Sequence, residues 1–191
     1  MKKRQIAIIV AMVLLVCVSV GATIAYFTDK TDPVKNTFTI GNIDIDLGET
    51  TGDKYKMVPG TELPKDPEVT VEADSEDCWL FVKVDKENDP DKYLDYSIDI
   101  DSGWIAGTGT GEGKNGVPVG VYFRQVTKDD EDQVFSVLTG DKVAVKETVT
   151  KAMMDALEES GDLPTLTFTA YACQQAGGFD TAALAWAEII K

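Results

Sequence analysis

The chain of 191 residues contains no histidine, and this absence restricts the chemistry that its side chains can perform. Catalytic triads built on histidine, histidine-based zinc motifs and histidine–metal clusters are all excluded. The 33 Asp and Glu residues could supply the pair of acids that a glycosidase uses. With so many acids some pair always exists, so the pattern identifies no catalytic residue. We predict that the chain is not an enzyme.

Two acid-rich runs, residues 85–91 and 129–132, could bind calcium. Acids of the first run alternate as in an EF-hand loop, but Pro90 stands where the sharp turn needs Gly. Position twelve is Tyr96 in place of Glu, and neither run is flanked by two predicted helices. The sequence therefore predicts no cofactor and no metal site, with weak calcium binding as the alternative.

The stretch from Gly111 to Gly116 fits the G-x-G-x-x-G pattern of dinucleotide-binding loops. In such a loop the glycines open a helix whose N-terminus holds the phosphates, whereas here the extended segment 117–119 follows. The pattern therefore predicts a flexible hairpin tip between Trp104 and Val117. Trp104, beside this tip, is a candidate exposed aromatic for ligand binding.

The beginning of the chain has the composition of a secretory signal peptide. A basic start at residues 2–4 precedes an almost wholly apolar run from Ile6 to Val20, and small residues follow. Cuts after Ala22 and after Ala25 both satisfy the small-residue rule. Thr23 and Ala25 form the better small-x-small pair, so cleavage is predicted between Ala25 and Tyr26. The alternative is an uncut membrane anchor, because the apolar stretch approaches the ~20 residues that cross a bilayer.

Two cysteines, Cys78 and Cys173, remain after Cys17 leaves with the signal peptide. Exported proteins meet an oxidising compartment, so these two residues form a candidate disulfide. Such a bridge would stabilise the fold by about 4 to 5 kcal/mol in the chain-entropy model. The alternative is that both thiols are small residues of the core.

A set of residues at the end of the signal peptide and just after it forms a recognisable pattern: Gly21, Ala25, Tyr26, Phe27, Asp29, Asn36, Thr37, Phe38, Gly41, Asp44 and Leu47. In these residues the chain resembles the TasA and camelysin (CalY) family, whose signal peptides are removed by a signal peptidase of the SipW type. The resemblance implies a jelly-roll sandwich with added helices and a role as a subunit of extracellular matrix fibres in a biofilm. It also implies secretion to the matrix or cell surface of a Gram-positive-type bacterium.

The predicted mature chain is strongly acidic. Removal of the signal peptide takes three of the 18 Lys and Arg residues and leaves 15 against 33 Asp and Glu. Nucleic acid is excluded as a partner, because phosphate binding needs clustered Lys and Arg. The membrane is a partner only through an uncleaved signal peptide. We predict a signal peptide at 1–25, an N-terminal extension at 26–36 and a single domain at 37–191.

Apolar and polar residues alternate with a period of two along much of this domain, which is typical of half-buried strands. Residues 78–84 are apolar at both odd and even positions, as in a central strand that is buried on both faces. Residues 166–175 are predicted to form the last strand. Helices are predicted at 150–159 and 181–190. We therefore predict an all-β, jelly-roll-like antiparallel sandwich with two short helices. The other predicted strands lie at 37–47, 68–74, 95–101 and 117–123.

The extension 26–36 begins with two large aromatics and is broken by Pro33. A short isolated strand can complete the sheet of a neighbouring copy, and such head-to-tail contacts build filaments. Tyr26, Phe27 and Phe38 are therefore candidate self-assembly residues, with other matrix or cell-surface components as further partners. The alternatives are a segment folded onto its own sheet, a monomeric adhesin or carbohydrate-binding module, and, ranked last, a camelysin-type protease.

Overall fold

The computed structural model describes residues 42–52 and 55–191 of the chain, and ten strands form three antiparallel sheets in this part. The first sheet has the order β1-β3-β8, the second β10-β4-β7-β6 and the third β2-β9-β5. The predicted class, an all-β antiparallel sandwich, is confirmed. The strands are β1 (Ile45–Gly48), β2 (Glu62–Pro64), β3 (Glu68–Val71), β4 (Cys78–Glu87), β5 (Leu94–Asp95), β6 (Ile105–Ala106), β7 (Val121–Val126), β8 (Gln133–Ser136), β9 (Lys142–Val145) and β10 (Thr165–Gln174).

The strand β4 is central, as its apolar sequence predicts. It pairs with β7 on one edge and with β10 on the other. Leu80 and Val82 face the first sheet and form the main core with Val69 and Val71. Phe81 points to the opposite face, where a second cluster lies beneath the C-terminal helix. Both faces of β4 are therefore buried, which explains why its apolar residues occupy both odd and even positions.

Three short helices lie in the described part of the chain: α1 (Pro90–Tyr93), α2 (Lys151–Ser160) and α3 (Ala182–Ile189). The two predicted helices are α2 and α3, each beginning after a threonine whose hydroxyl accepts an N–H bond three residues later. Gly161 ends α2 with a left-handed φ of 76°. The single turn α1 was not predicted, since it is too short to show a helical period.

The predicted strands at 68–74, 95–101 and 117–123 are too long. The run at 68–74 is a strand only as far as Val71. The run at 95–101 is a strand as far as Asp95 and makes one further bridge, from Ile98 to Leu138, before the Asp99 side chain accepts a bond from the Ser102 N–H and turns the chain. The run at 117–123 is extended only from Val121. Pro118 lacks an N–H, and Gly120 has a φ of 87°, so the preceding residues form a turn that leaves Val119 79% exposed.

The direction of the strands defines two ends of the sandwich. At the upper end, Cys78 begins β4 opposite Gln174, the last residue of β10. Asn42 lies at this end as well, since its carbonyl accepts a bond of 3.0 Å from the N–H of Glu76. At the lower end, Glu87 ends β4 opposite Thr165, the first residue of β10. The described domain therefore begins at the upper end.

Candidate assembly surface

The strand β10 is a long edge strand. All ten of its residues pair with β4 on one side, and no strand of residues 42–52 or 55–191 pairs with it on the other. Three threonines alternate with apolar residues in its first half, and Phe168 and Tyr171 add two aromatics, a composition that favours an extended chain. Its sequence, T-L-T-F-T-A-Y-A-C-Q, contains no charged residue and no proline. Charges and proline are the residues with which proteins protect an edge against pairing, so β10 is an unprotected edge.

The other edge strands of the described sheets are shorter. β5 and β6 have two residues each, and β2 has three and ends in Pro64. β1 has four residues and carries Asp46, and β8 also has four. Short, charged or proline-containing edges offer little backbone to another strand. A strand added to this domain would therefore find its longest row of backbone donors and acceptors along β10.

The inward side chains of β10 are less covered than those of the central strands. The edge strand β1 lies beside β10, with Cα atoms of the two strands within 8 Å of each other, and four inward side chains of β10 pack into the main core together with those of β1. Val69, Leu80 and Val82 in the centre are 0% exposed, whereas the inward side chains of these two edges are all half-buried. We call β1, β10 and these side chains the open seam. The half-buried side chains of the seam are Ile43, Ile45, Leu47, Leu166, Phe168, Ala170 and Ala172.

An apolar groove lies at the lower end of the sandwich, where β10 begins. It has a volume of about 740 Å³, within the range of ligand-binding pockets. The strands β2 and β9 and the helix α2 form its walls, and Thr165 and Leu166 connect it with the open seam. We call it the end groove. Its apolar lining includes Met57, Leu63, Leu94, Val143, Met154 and Leu157.

A polar network holds the rim of the end groove. The Nζ of Lys65 lies 2.5 Å from Oε2 of Glu49 and 5.9 Å from the ring of Phe168. Asp66 next to it accepts hydrogen bonds from the hydroxyls and backbone N–H groups of Thr50 and Thr51. These bonds lower the pKa of the Asp66 carboxyl from 3.8 to about 2. Because the folded pKa is depressed, this contribution to stability is present above pH 4 and is lost as the pH falls toward 2.

The predicted signal-cleavage residues Ala25 and Tyr26 lie outside the described residues, as do the self-assembly candidates Tyr26, Phe27 and Phe38. These assignments stay predictions. What the sequence analysis missed is the surface that could receive them. The uncharged, proline-free composition of β10 was visible in the sequence, but its position at a sheet edge depends on pairing with distant strands.

The candidate disulfide is not formed: Cys78 and Cys173 are both free thiols. Cys78 pairs with Gln174, and Cys173 pairs with Trp79, so the two cysteines are offset by one residue in the ladder. Successive side chains of a strand point to opposite faces. Cys78 lies in the main core, and Cys173 packs against the cluster under α3. A disulfide would require the backbone to rearrange. The geometry therefore agrees with the alternative, in which both thiols are small residues of the core.

We expect both thiols to be present without reductant and to differ in reactivity. Burial raises the pKa of the Cys78 thiol to about 11, with a smaller effect of Asp77, and Cys78 is 0% exposed. Burial also raises the pKa of Cys173, which is half-buried. Thiolates are the reactive form, so at pH 8 a maleimide should label Cys173 slowly and Cys78 only after unfolding. A thiol assay of the denatured protein without reductant should detect both thiols. Detection of no thiol would show that Cys78 and Cys173 form a disulfide.

The exposed-aromatic interpretation of Trp104 is wrong. The side chain is 2% exposed, and its indole N–H donates a bond of 2.8 Å to the carbonyl of Ser136. The Arg124 guanidinium covers the ring, with its carbon 5.7 Å from the ring centroid. Sequence alone could not place Trp104 inside, because the partners that cover it come from β7 and β8.

The glycine-rich stretch 111–116 lies in the connection between β6 and β7. Asn115 holds this connection closed: its side-chain oxygen accepts the N–H of Thr108, and its amide donates to the carbonyl of Ala106. Gly116 has a φ of 80°. The stretch opens no helix, as the hairpin interpretation predicts.

The first acid-rich run spans the end of β4 and the start of α1, and the second lies in the connection between β7 and β8. Asp91 in α1 pairs with Lys86 at 2.8 Å, and this pair lowers the pKa of the Asp91 carboxyl. Asp132 accepts the backbone N–H of Ala73, and the Asp129 carbonyl accepts that of Asp74. Within the described ranges, no three acids or cysteines lie close enough together to hold a metal ion.

The described part of the chain is an antiparallel sandwich with an unprotected edge and an adjoining apolar groove. Comparisons with protein-family models, curated proteins and solved structures find no match to this chain. No helix in the described residues has the length and apolar character of a membrane span.

Proposed function

We propose that this chain is a secreted structural protein, the subunit of a fibre of the extracellular matrix or cell surface. In this proposal the N-terminal segment of one copy completes the open seam of the next copy. The observation that carries the proposal is β10, a ten-residue edge without charge or proline. Backbone hydrogen bonds of an added strand would supply affinity, and its apolar side chains would cover the half-buried row of the seam.

The N-terminal segment has the length that this role needs. Residues 26–41 comprise about 16 residues, and an extended chain of that length spans on the order of 50 Å. The ten residues of β10 span about 30 Å. The segment can therefore cover the whole edge and leave several residues to connect the two subunits.

The geometry of the contact favours a fibre over a closed dimer. The donated segment and the seam are different surfaces of the chain, so the contact is heterologous and can repeat without closing. The strong negative charge of the subunits opposes their approach, and salt screens this repulsion. The alternative of a surface-binding module relied on Trp104 as an exposed ligand-binding aromatic, and Trp104 is buried.

The proposal is tested by the size of the protein that begins at Tyr26. We expect its sedimentation coefficient to grow with concentration and with added salt, and electron microscopy to show fibres of uniform width. A surface-binding module or an enzyme would instead stay monomeric across the same range. A chain that remains monomeric in up to 1 M salt, where the Debye length is only about 3 Å, would contradict the proposal.

A further inference from the structure

The end groove adjoins the unprotected edge at its lower end. Thr165 and Leu166 line the groove and are also the first two residues of β10. A strand that pairs with the whole of β10 therefore passes the mouth of the groove. Whatever apolar side chains that strand carries at this point can enter the groove without leaving the ladder.

Phe38 and Ile40 of the same copy cannot supply those side chains. Phe38 lies four residues before Asn42, so it is at most about 14 Å from it along an extended chain. Asn42 is at the upper end of the sandwich, whereas the groove begins a full strand length below, about 30 Å away. The segment just before Asn42 can reach the end groove only of another copy.

A head-to-tail stack places that segment at the groove. When the upper end of one copy meets the lower end of the next, the donated segment enters beside Thr165. Its C-terminal residues then lie at the start of β10, and Tyr26 extends toward Gln174. The donated strand consequently runs antiparallel to β10, which is the orientation that β4 uses on the opposite edge.

The side chains of this part of the segment suit the groove. Phe38 and Ile40 alternate with Thr37 and Thr39 in the sequence, so in a donated extended strand both apolar side chains would share one face, about 7 Å apart. The groove offers an apolar lining that includes Met57 and Met154, whose flexible side chains adapt to different shapes.

We propose that the end groove receives Phe38 and Ile40 of the neighbouring copy, with the donated strand antiparallel to β10. This inference rests on the proposed function as a fibre subunit. It gives a reason for Phe38 in assembly: the residue anchors the junction between copies, while Tyr26 and Phe27 bind at the far end of the same seam.

The first test compares two double variants of the chain that begins at Tyr26. We expect F38A/I40A to raise the critical concentration for fibre growth at least tenfold, because two large apolar groups leave a buried site. The matched control T37A/T39A changes the opposite face of the same strand and should stay within about threefold. Thermal unfolding of both variants shows whether the fold is kept.

The second test locates the contact directly and does not depend on the stability of a variant. Phe38 is replaced with photoreactive benzoylphenylalanine, and heavy-isotope and unlabelled subunits are mixed before assembly and irradiation. We expect crosslinks between copies to peptides that contain Met57 or Met154. Crosslinks within one copy, or to β7 and β8, would overturn the proposal.

The outcomes separate the two proposals. Absence of fibres from the unchanged protein contradicts the proposed function itself. If fibres form and need residues 26–34, yet F38A/I40A assembles like the unchanged protein and crosslinks avoid the groove, the groove proposal fails and the fibre proposal stands. If crosslinks reach the groove from residue 38 but F38A/I40A assembles normally, the anchoring role is refuted.

Discussion

Deleting residues 26–34 is expected to abolish fibre growth and to leave a folded domain. The described hydrogen-bond network begins at Asn42, and the deleted segment contains Pro33 and several polar residues. Its loss removes Tyr26 and Phe27. Successive side chains of a strand point to opposite faces, so one of these two aromatics would cover the upper half of a neighbour's seam. One large side chain so buried contributes on the order of 1.5 to 3 kcal/mol, so its loss weakens the subunit contact by about one to two powers of ten, in addition to the loss of the backbone hydrogen bonds of the deleted strand.

The measurement is sedimentation velocity of the deleted and full chains at matched concentration and salt, with circular dichroism to follow the fold. A matched control replaces Thr28 and Thr31 with alanine, which keeps the length of the segment and its aromatics. Fibres that grow equally well without residues 26–34 would refute donation of this segment. Loss of the folded state on deletion would instead show that the segment belongs to its own sheet.

The largest effect on stability is expected from Phe81→Ala. Phe81 is 0% exposed, and its ring lies 5.3 Å from that of Trp186 and 6.2 Å from that of Phe123. It joins the central strand β4 to α3 and β7. Removing it leaves a cavity between these elements, and such substitutions cost about 3 to 5 kcal/mol. That cost is a large part of the total stability of a typical domain.

Chemical denaturation of the full chain measures this loss as a shift of the midpoint. The control is Val119→Ala, at a side chain that is 79% exposed, which should change the free energy of unfolding by less than about 0.5 kcal/mol. A loss below about 1 kcal/mol for Phe81→Ala would mean that α3 does not pack on this face in solution.

Local features of the fold followed from the sequence because their causes are local. Alternation predicted β3, and the apolar run predicted that β4 is central. The hydroxyls of Thr150 and Thr181 each accept a bond from a residue three positions later, so the starts of α2 and α3 were predictable to one residue. The strands predicted at 95–101 and 117–123 were too long, because Asp99 and Gly120 end the extended chain by local bonds and backbone geometry.

The composition of the sequence by itself determined one limit on the chemistry: a chain without histidine has no catalytic or metal site that is built on histidine. Only the tertiary structure decided which surfaces are available. A one-residue offset between β4 and β10 puts Cys78 and Cys173 on opposite faces, and β10 is an edge because β4 is its one partner among the described strands. Alternation specifies which residues of one strand share a face, but not which distant strand pairs beside it. Register, edges and grooves therefore arise from contacts between segments that are far apart in the chain.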